Sequence, residues 1–441
     1  MSTTTGSPKA VAWWREPTKD QWYAYTAAWL GWTLDAFDFT IFLSIMVPIS
    51  QEFHVPLSAV AAVFTITLWL RLVGATAAGW MADRMGRKWP LMISIFWYSI
   101  CNFIAGFSPS FAFLFFWRAM LGIGMGAEWP AGAALAMESW PARSRGLMSG
   151  ILQGSWGIGF ALSVTAYALL YDYIGWRGLL IIGVLPALVC VWIRFYVKEP
   201  EVWAENKKIQ EEENKQVSLP LFSIFKPGLL MNTITACLWM AAAFCVYYSI
   251  WALWQTYLRT ELKWTPGQIW WSVFWANIVT VGGSAVWGYV SDTAGRRWAI
   301  IIPSVIGLGL TPFYLMTTDI VTVTLMFVVQ AVFAGSIYGQ NPSYLSERFP
   351  TEVRATASGF VYHQGAIFGG LVAPILTLLA TGEAVTLPSW LGGGTIFQST
   401  PMGFAKPMMY GTMFFLVIVI IAVLLGPETK GKILVARLEV K

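Results

Sequence analysis

Uncharged apolar runs of about twenty residues recur from one end of this chain to the other, and nothing constrains its fold more. "MMYGTMFFLVIVIIAVLLG", residues 408–426, is one of them. About twenty such residues, wound as a helix, cross the hydrocarbon core of a bilayer. In that core every backbone polar group must be satisfied within the structure, which leaves helices or a closed barrel. The runs are continuous and do not alternate over ten residues, so helices rather than a barrel are expected. Only 12% of the 441 residues are charged and 57% are hydrophobic. A soluble domain carries about 25% charged residues, so this chain cannot build a water-facing surface over its whole extent.

The runs predict an all-α polytopic membrane protein with twelve transmembrane helices, at about 22–48, 57–82, 90–108, 111–138, 146–170, 177–197, 229–257, 267–290, 298–317, 320–346, 355–380 and 404–426. Between the sixth and seventh lies "KEPEVWAENKKIQEEENKQVSLPLFSIFKPG", residues 198–228, mixed in charge and broken by prolines. It reads as a linker, with a short surface helix, between an amino-terminal six-helix bundle (1–197) and a carboxy-terminal one (229–441). The polar first twenty residues show no cleavable signal, so the first span is expected to direct insertion. Cys101, Cys190, Cys237 and Cys245 fall inside apolar runs and read as small buried hydrophobes, neither disulfides nor metal ligands.

The net charge of +5 has a topological reading. Basic residues follow spans two (Arg84, Arg87, Lys88), four (Arg143, Arg145), eight (Arg296, Arg297) and ten (Arg348, Arg354), and more lie in the tail. The opposite loops carry few. The positive-inside rule then places both termini and the linker in the cytoplasm, in a cell's inner membrane. No nucleic-acid partner is implied, and a monomer is expected. Without a phosphate-cradling loop, metal-ligand spacing or more than two histidines, enzyme chemistry is not expected.

A charged phrase occurs twice. "GWMADRMGRK" (79–88) and "GYVSDTAGRR" (288–297) match with a displacement of 209 positions. At the same displacement, "ESWPARSRGLMSG" (138–150) matches "ERFPTEVRATASG" (347–359). Two phrases at one offset imply duplicated halves with parallel topology, an architecture used by transporters. Gly79 permits close helix approach, Asp83 can meet a helix N-terminus or an arginine, Gly86 turns the loop, and Arg87 and Lys88 are expected in water. Gly79, Asp83, Gly86 and Arg87, with Glu138, Arg145, Asp292, Arg296, Glu347 and Arg354, are the candidate gating residues, an ion-pair latch made only when the halves close at the cytoplasmic end. "GWMADRMGRK" resembles the signature between spans two and three of the major facilitator superfamily; "KEPEVW" and "GPETKGK" resemble further phrases of that family. The resemblance covers essentially the whole chain and implies alternating access about a central cavity.

Charges deep in a span are costly and mark function. Asp35 and Asp38 sit in span one, Arg71 in span two, Arg118 and Glu128 in span four. Three carboxylates face two guanidiniums that stay charged, so one carboxylate is in excess and is expected to carry a proton. Asp35, Asp38 and Glu128 are therefore the proton-coupling candidates, with the proton gradient in place of a cofactor. The second half has no mid-span charge but offers Tyr247, Tyr248, Gln255, Asn277, Tyr338, Gln340, Asn341, Tyr362, His363 and Gln364, which cannot all face lipid. With Arg71 and Arg118 these residues are the substrate-binding candidates, and Trp129, Trp156 and Trp251 are candidate cavity walls. Pro342 is expected to loosen span ten. A guanidinium matches a carboxylate with two parallel hydrogen bonds, so the expected substrate is a small organic anion moving with protons. "AAWLGWTLDAFDF" and "RAMLGIGMGAEW" resemble the sialate:proton symporter family, whose members carry sialic acid, lactate and other monocarboxylates; the resemblance marks Asp35, Asp38, Arg71, Arg118 and Glu128. Lactate or a similar monocarboxylate is the leading expectation. Sialic acid and aromatic acids are the alternatives, ahead of a sugar or of drug–proton exchange.

Overall fold

A computed structural model describes residues 12–55, 57–214, 217, 220–382, 385–387 and 394–438 of the protein. The first half contributes α1 (Lys19–Phe53), α2 (Leu57–Met85), α3 (Lys88–Ala105), α4 (Phe111–Ser139), α5 (Arg145–Ile182) and α6 (Ala187–Tyr196). The linker forms α7 (Glu201–Glu212) and the single turn α8 (Pro220–Ser223). The second half contributes α9 (Pro227–Thr260), α10 (Pro266–Ala294), α11 (Trp298–Leu315), α12 (Ile320–Phe333), α13 (Asn341–Arg348), α14 (Arg354–Thr381) and α15 (Ala405–Leu425). Helix starts follow local chemistry. Thr18 and Thr265 each cap a helix through a reciprocal box with Gln21 and Gln268, which satisfies otherwise orphaned amides.

Nine stretches among the described residues are long and apolar enough to cross a membrane. One of them, Ala142–Ile193, contains both α5 and α6, and Gly175 at φ 62° breaks the helical path inside it. Of the twelve expected spans only α1, which carries Asp35 and Asp38, and the short α3 fall outside that set.

The halves meet through two related helix pairs, α2 with α14 and α5 with α10. Glycine sets the approach. A methyl group at Gly79 would lie 2.6 Å from the Thr356 Cα, and one at its repeat mate Gly288 would lie 2.4 Å from the Gly146 carbonyl. Backbones this close leave room only for hydrogen. Span ten is broken, as Pro342 suggested: α12 gives way to a 3-10 turn at Ser336–Gln340 before α13 begins. Ser149 of α5 fills the break. Its hydroxyl donates to the Gly339 carbonyl at 2.7 Å and accepts from the Ser343 amide at 3.0 Å, standing where an i to i+4 bond would run.

Three features differ from expectation or add to it. Arg87 is not in water; it is fully buried, because Glu138 and Asp83 supply the acceptors that make burial of a guanidinium tolerable. Lys88 is half-buried, and its ammonium donates to the Val197 carbonyl at 2.7 Å. A small antiparallel hairpin, β1 (Val385–Leu387) with β2 (Gly394–Phe397), lies between α14 and α15. Cys101, Cys237 and Cys245 are free thiols, and the side chain of Cys190 lies outside the described residues.

Candidate functional site

At one end of the bundle, called here the charged end, the two repeated phrases form two matching ion-pair clusters. In the first, Arg87 donates two hydrogen bonds to Glu138 at 2.9 and 2.7 Å, and Arg354 of the second half reaches the same carboxylate at 2.6 Å. In the second, Arg296 holds Glu347 at 2.9 and 2.8 Å, and Arg145 of the first half reaches it at 3.3 Å. Each cluster therefore crosses between halves. Asp83 accepts from the Ala355 and Thr356 amides at the start of α14, and Asp292 accepts from those of Gly146 and Leu147 at the start of α5. A carboxylate at a helix N-terminus meets both free amides and the positive end of the helix dipole. Burial opposes charge on Arg87, but Glu138 and then Asp83 outweigh it and lift its proton affinity above the ordinary value; Arg296 is raised too, with Glu347 as its main support. Gly86, at φ 104°, makes the turn that presents Arg87.

Sequence reading missed two supports of these clusters. Glu199 accepts from the Arg87 and Lys88 amides, and Glu428 from those of Arg296 and Arg297. Each stands beside a proline directly after the last span of its half, in "KEPEVW" and "GPETKGK", which was the available signal.

Midway along the bundle, between the halves, is a cavity of about 70 Å³. Of the candidates, Arg71, Tyr247, Tyr248, Asn277, Tyr338, Tyr362 and His363 line it, as do Trp156 and Trp251. Trp32, Phe39, Phe244 and Gln153 also line it. Trp129 stands behind it, stacked on Tyr362 at 4.0 Å. The cavity shares Phe39, Trp156, Tyr247, Tyr248 and Trp251 with a vestibule of about 740 Å³. That vestibule is lined by parts of α1 and α14 remote from the charged end, and Gln255 belongs to it. The structure is thus shut at the charged end and hollow toward the other.

The five deep charges separate into two groups. Arg71 is the cation of the cavity wall. It donates to Asp35 at 3.3 Å and to the Met125 sulfur at 3.2 Å, and its guanidinium lies 4.6 Å from the Phe39 ring centre. Its Nε is buried without a protein acceptor, as is one oxygen of Asp35 without a donor. Glu128 is buried against Gly31 of α1, where a methyl group would lie 2.5 Å from its carboxylate. Arg118 does not reach the cavity. It lies behind α1, donating to Asn102 at 3.0 Å and to the Asp38 carbonyl at 3.4 Å, while Asn102 donates to the Asp38 carboxylate at 3.0 Å. Asp35 and Asp38, three residues apart on one helix, are both fully buried but serve different partners.

Three other candidates also lie off the cavity. Gln340 and Asn341 are buried at the break in span ten with their side-chain amide groups unpartnered, and Gln364 donates to the Cys237 and Val361 carbonyls. His363 is fully buried, with Nδ1 bonded to the Gly359 carbonyl at 3.0 Å. A carbonyl only accepts, so Nδ1 carries a hydrogen and Nε2 is the free nitrogen. Gln153 was missed. It bonds the Trp129 indole and the Tyr362 hydroxyl, joining the halves across the cavity floor.

Known proteins agree with this architecture. A family model described as Major Facilitator Superfamily matches residues 28–253 and 239–432. A protein of Cupriavidus pinatubonensis described as a probable 4-methylmuconolactone transporter is 28% identical over 95% of this chain and 94% of its own length. The sialic acid transporter NanX of Escherichia coli is 27% identical over 85% of this chain and 90% of its own, and the cis,cis-muconate transport protein of Acinetobacter baylyi is 26% identical over 85% and 91%. The solved structure of the proton:xylose symporter XylE has the same fold at a TM-score of 0.70 and 16% identity, covering 94% of this chain and 98% of that one. This multi-pass membrane protein is a transporter rather than an enzyme, and it belongs to the Major Facilitator Superfamily.

Proposed function

We propose that the protein carries a small planar organic carboxylate together with protons across the cytoplasmic membrane by alternating access, with both termini in the cytoplasm. One observation carries the reading: Arg71 lines an aromatic cavity between the halves with its Nε unpartnered, and Asp35 is the one carboxylate among the described residues that pairs with it. Once Asp35 yields Nη2, the Nε–Nη2 edge of the guanidinium can receive a carboxylate through two parallel hydrogen bonds. The rings of Phe39, Trp156, Tyr247, Tyr248 and Tyr362 suit a flat unsaturated or aromatic acid, which gains from stacking as well as burial. Lactate, with three carbons and no carbon–carbon π bond to stack, would leave those faces uncovered. It ranks below a diene or ring acid for that reason. Relatives named for muconate and sialic acid support an acid as cargo.

Coupling follows from charge balance. A carboxylate arriving at Arg71 competes with Asp35 for it. Asp35, buried and stripped of its cation, is neutral only with a proton. Substrate and proton therefore load together. Asp38 and Glu128 are the further buried carboxylates able to hold or pass that proton.

The test is uptake into proteoliposomes of labelled cis,cis-muconate, nicotinate, benzoate and lactate, with and without an inward proton gradient. Accumulation of at least one planar acid, raised severalfold by the gradient and exceeding lactate, is expected. Uptake indifferent to the gradient, or confined to uncharged sugars, overturns the reading.

A further inference from the structure

The two arginine–aspartate pairs of the first half are built differently, although both join a deep guanidinium to α1. Arg71 touches the Asp35 carboxylate directly. Arg118 does not make that contact with Asp38. Its Nη1 goes to the Asn102 side-chain oxygen, and the Asn102 nitrogen goes on to Asp38 Oδ1, each at 3.0 Å. The amide orientation is fixed by its neighbours, because a guanidinium only donates and a carboxylate accepts. Asp38 Oδ2 has no partner.

We propose that Asn102 is a positioning residue that holds Arg118 one amide away from Asp38, so that Asp38 can take up and release a proton during transport. This rests on the proton-coupled reading above. A guanidinium in direct contact with a buried carboxylate clamps it in the charged form, and Coulomb attraction falls with separation. A bridging amide keeps the pair aligned while weakening the clamp. It also leaves Oδ2 as the oxygen on which a proton sits.

The surroundings leave few other influences. Asp35 lies one turn away on α1, Arg118 comes from α4, and Cys101 of α3 stands near Arg118. The turn after α5 adds no titratable group but closes the site. A methyl group at Gly183 would lie 2.1 Å from the Asn102 nitrogen and 2.6 Å from Asp38 Oδ1. Asn102 itself is on α3, which contributes no residue to the cavity wall, so direct contact with cargo does not account for it.

The experiment is an infrared titration of the purified full-length protein in lipid. It follows the protonated-carboxyl band that Asp38→Asn removes. Asn102→Leu keeps the bulk but removes the bridge and the donor to Asp38, and is expected to move the midpoint of that band upward by about one pH unit, tenfold in proton affinity. Asn102→Ala opens space for Arg118 to close on Asp38, and is expected to move it downward by a similar amount. Opposite shifts are not what loosened packing produces. Shifts of the same sign, no shift, or the absence of a titrating Asp38 band overturn the proposal. None of these touches the parent reading, which is tested separately and fails if uptake ignores the proton gradient or is confined to uncharged sugars.

Discussion

Arg71 and Arg118 look alike in sequence, each a single arginine in an apolar run, yet only Arg71 meets the cavity. Arg71→Gln is expected to cut carboxylate uptake about a hundredfold, the cost of removing one member of a desolvated charge pair. Arg71→Lys should recover little, because an ammonium lacks the planar fork. Both are measured as initial uptake rates at matched protein levels; wild-type rates in Arg71→Gln would remove it from the site. Arg118→Gln should instead leave substrate binding intact and abolish accumulation driven by the proton gradient. The imbalance of three acids over two arginines was legible from residue types alone. Which guanidinium faces the cavity was not, since helix rotation decides it and a span that is apolar nearly all round carries no periodic mark of its inner face. Asn102 and Gln153 were harder still. A neutral amide in an apolar run is a weak signal until its partners are known.

At the scale of elements, helix approach is governed by glycine pairs, and Gly150 is the tightest crossing between α5 and α10. A methyl group there would lie 2.0 Å from the Ser284 carbonyl, a backbone atom that cannot swing aside. Gly150→Val is expected to prevent closure of the charged end. It should lower the melting temperature, consistent with an overpacking cost of about 1–3 kcal/mol, and suppress uptake. Unchanged melting and transport would mean that the two helices do not need this contact. The helices themselves were readable, because apolar length and proline punctuation fix them locally. The break in span ten was readable only in part: Pro342 marks it, but the Ser149 hydroxyl that fills it comes from a helix some 190 positions earlier. The hairpin after α14 left no pattern strong enough to predict.

For the whole molecule, the repeat was the most legible feature, since two phrases at one offset are visible without coordinates. The burial of Arg87 was not, because it depends on Glu138 and on Arg354 arriving from the other half. Breaking a buried pair by removing one partner costs roughly 3–5 kcal/mol, enough to change which end of the transporter is closed. Alternating access about Arg71 stands or falls with that change. It is read most directly by double electron–electron resonance between spin labels at Met85, exposed at the end of α2, and Thr293, exposed at the end of α10. The unmodified gate should give a single short-distance population without cargo. Glu138→Gln combined with Glu347→Gln should shift it to a longer one, as should adding a transported carboxylate at acidic pH to the intact gate. Distances that stay fixed in all three conditions would contradict alternating access through this end.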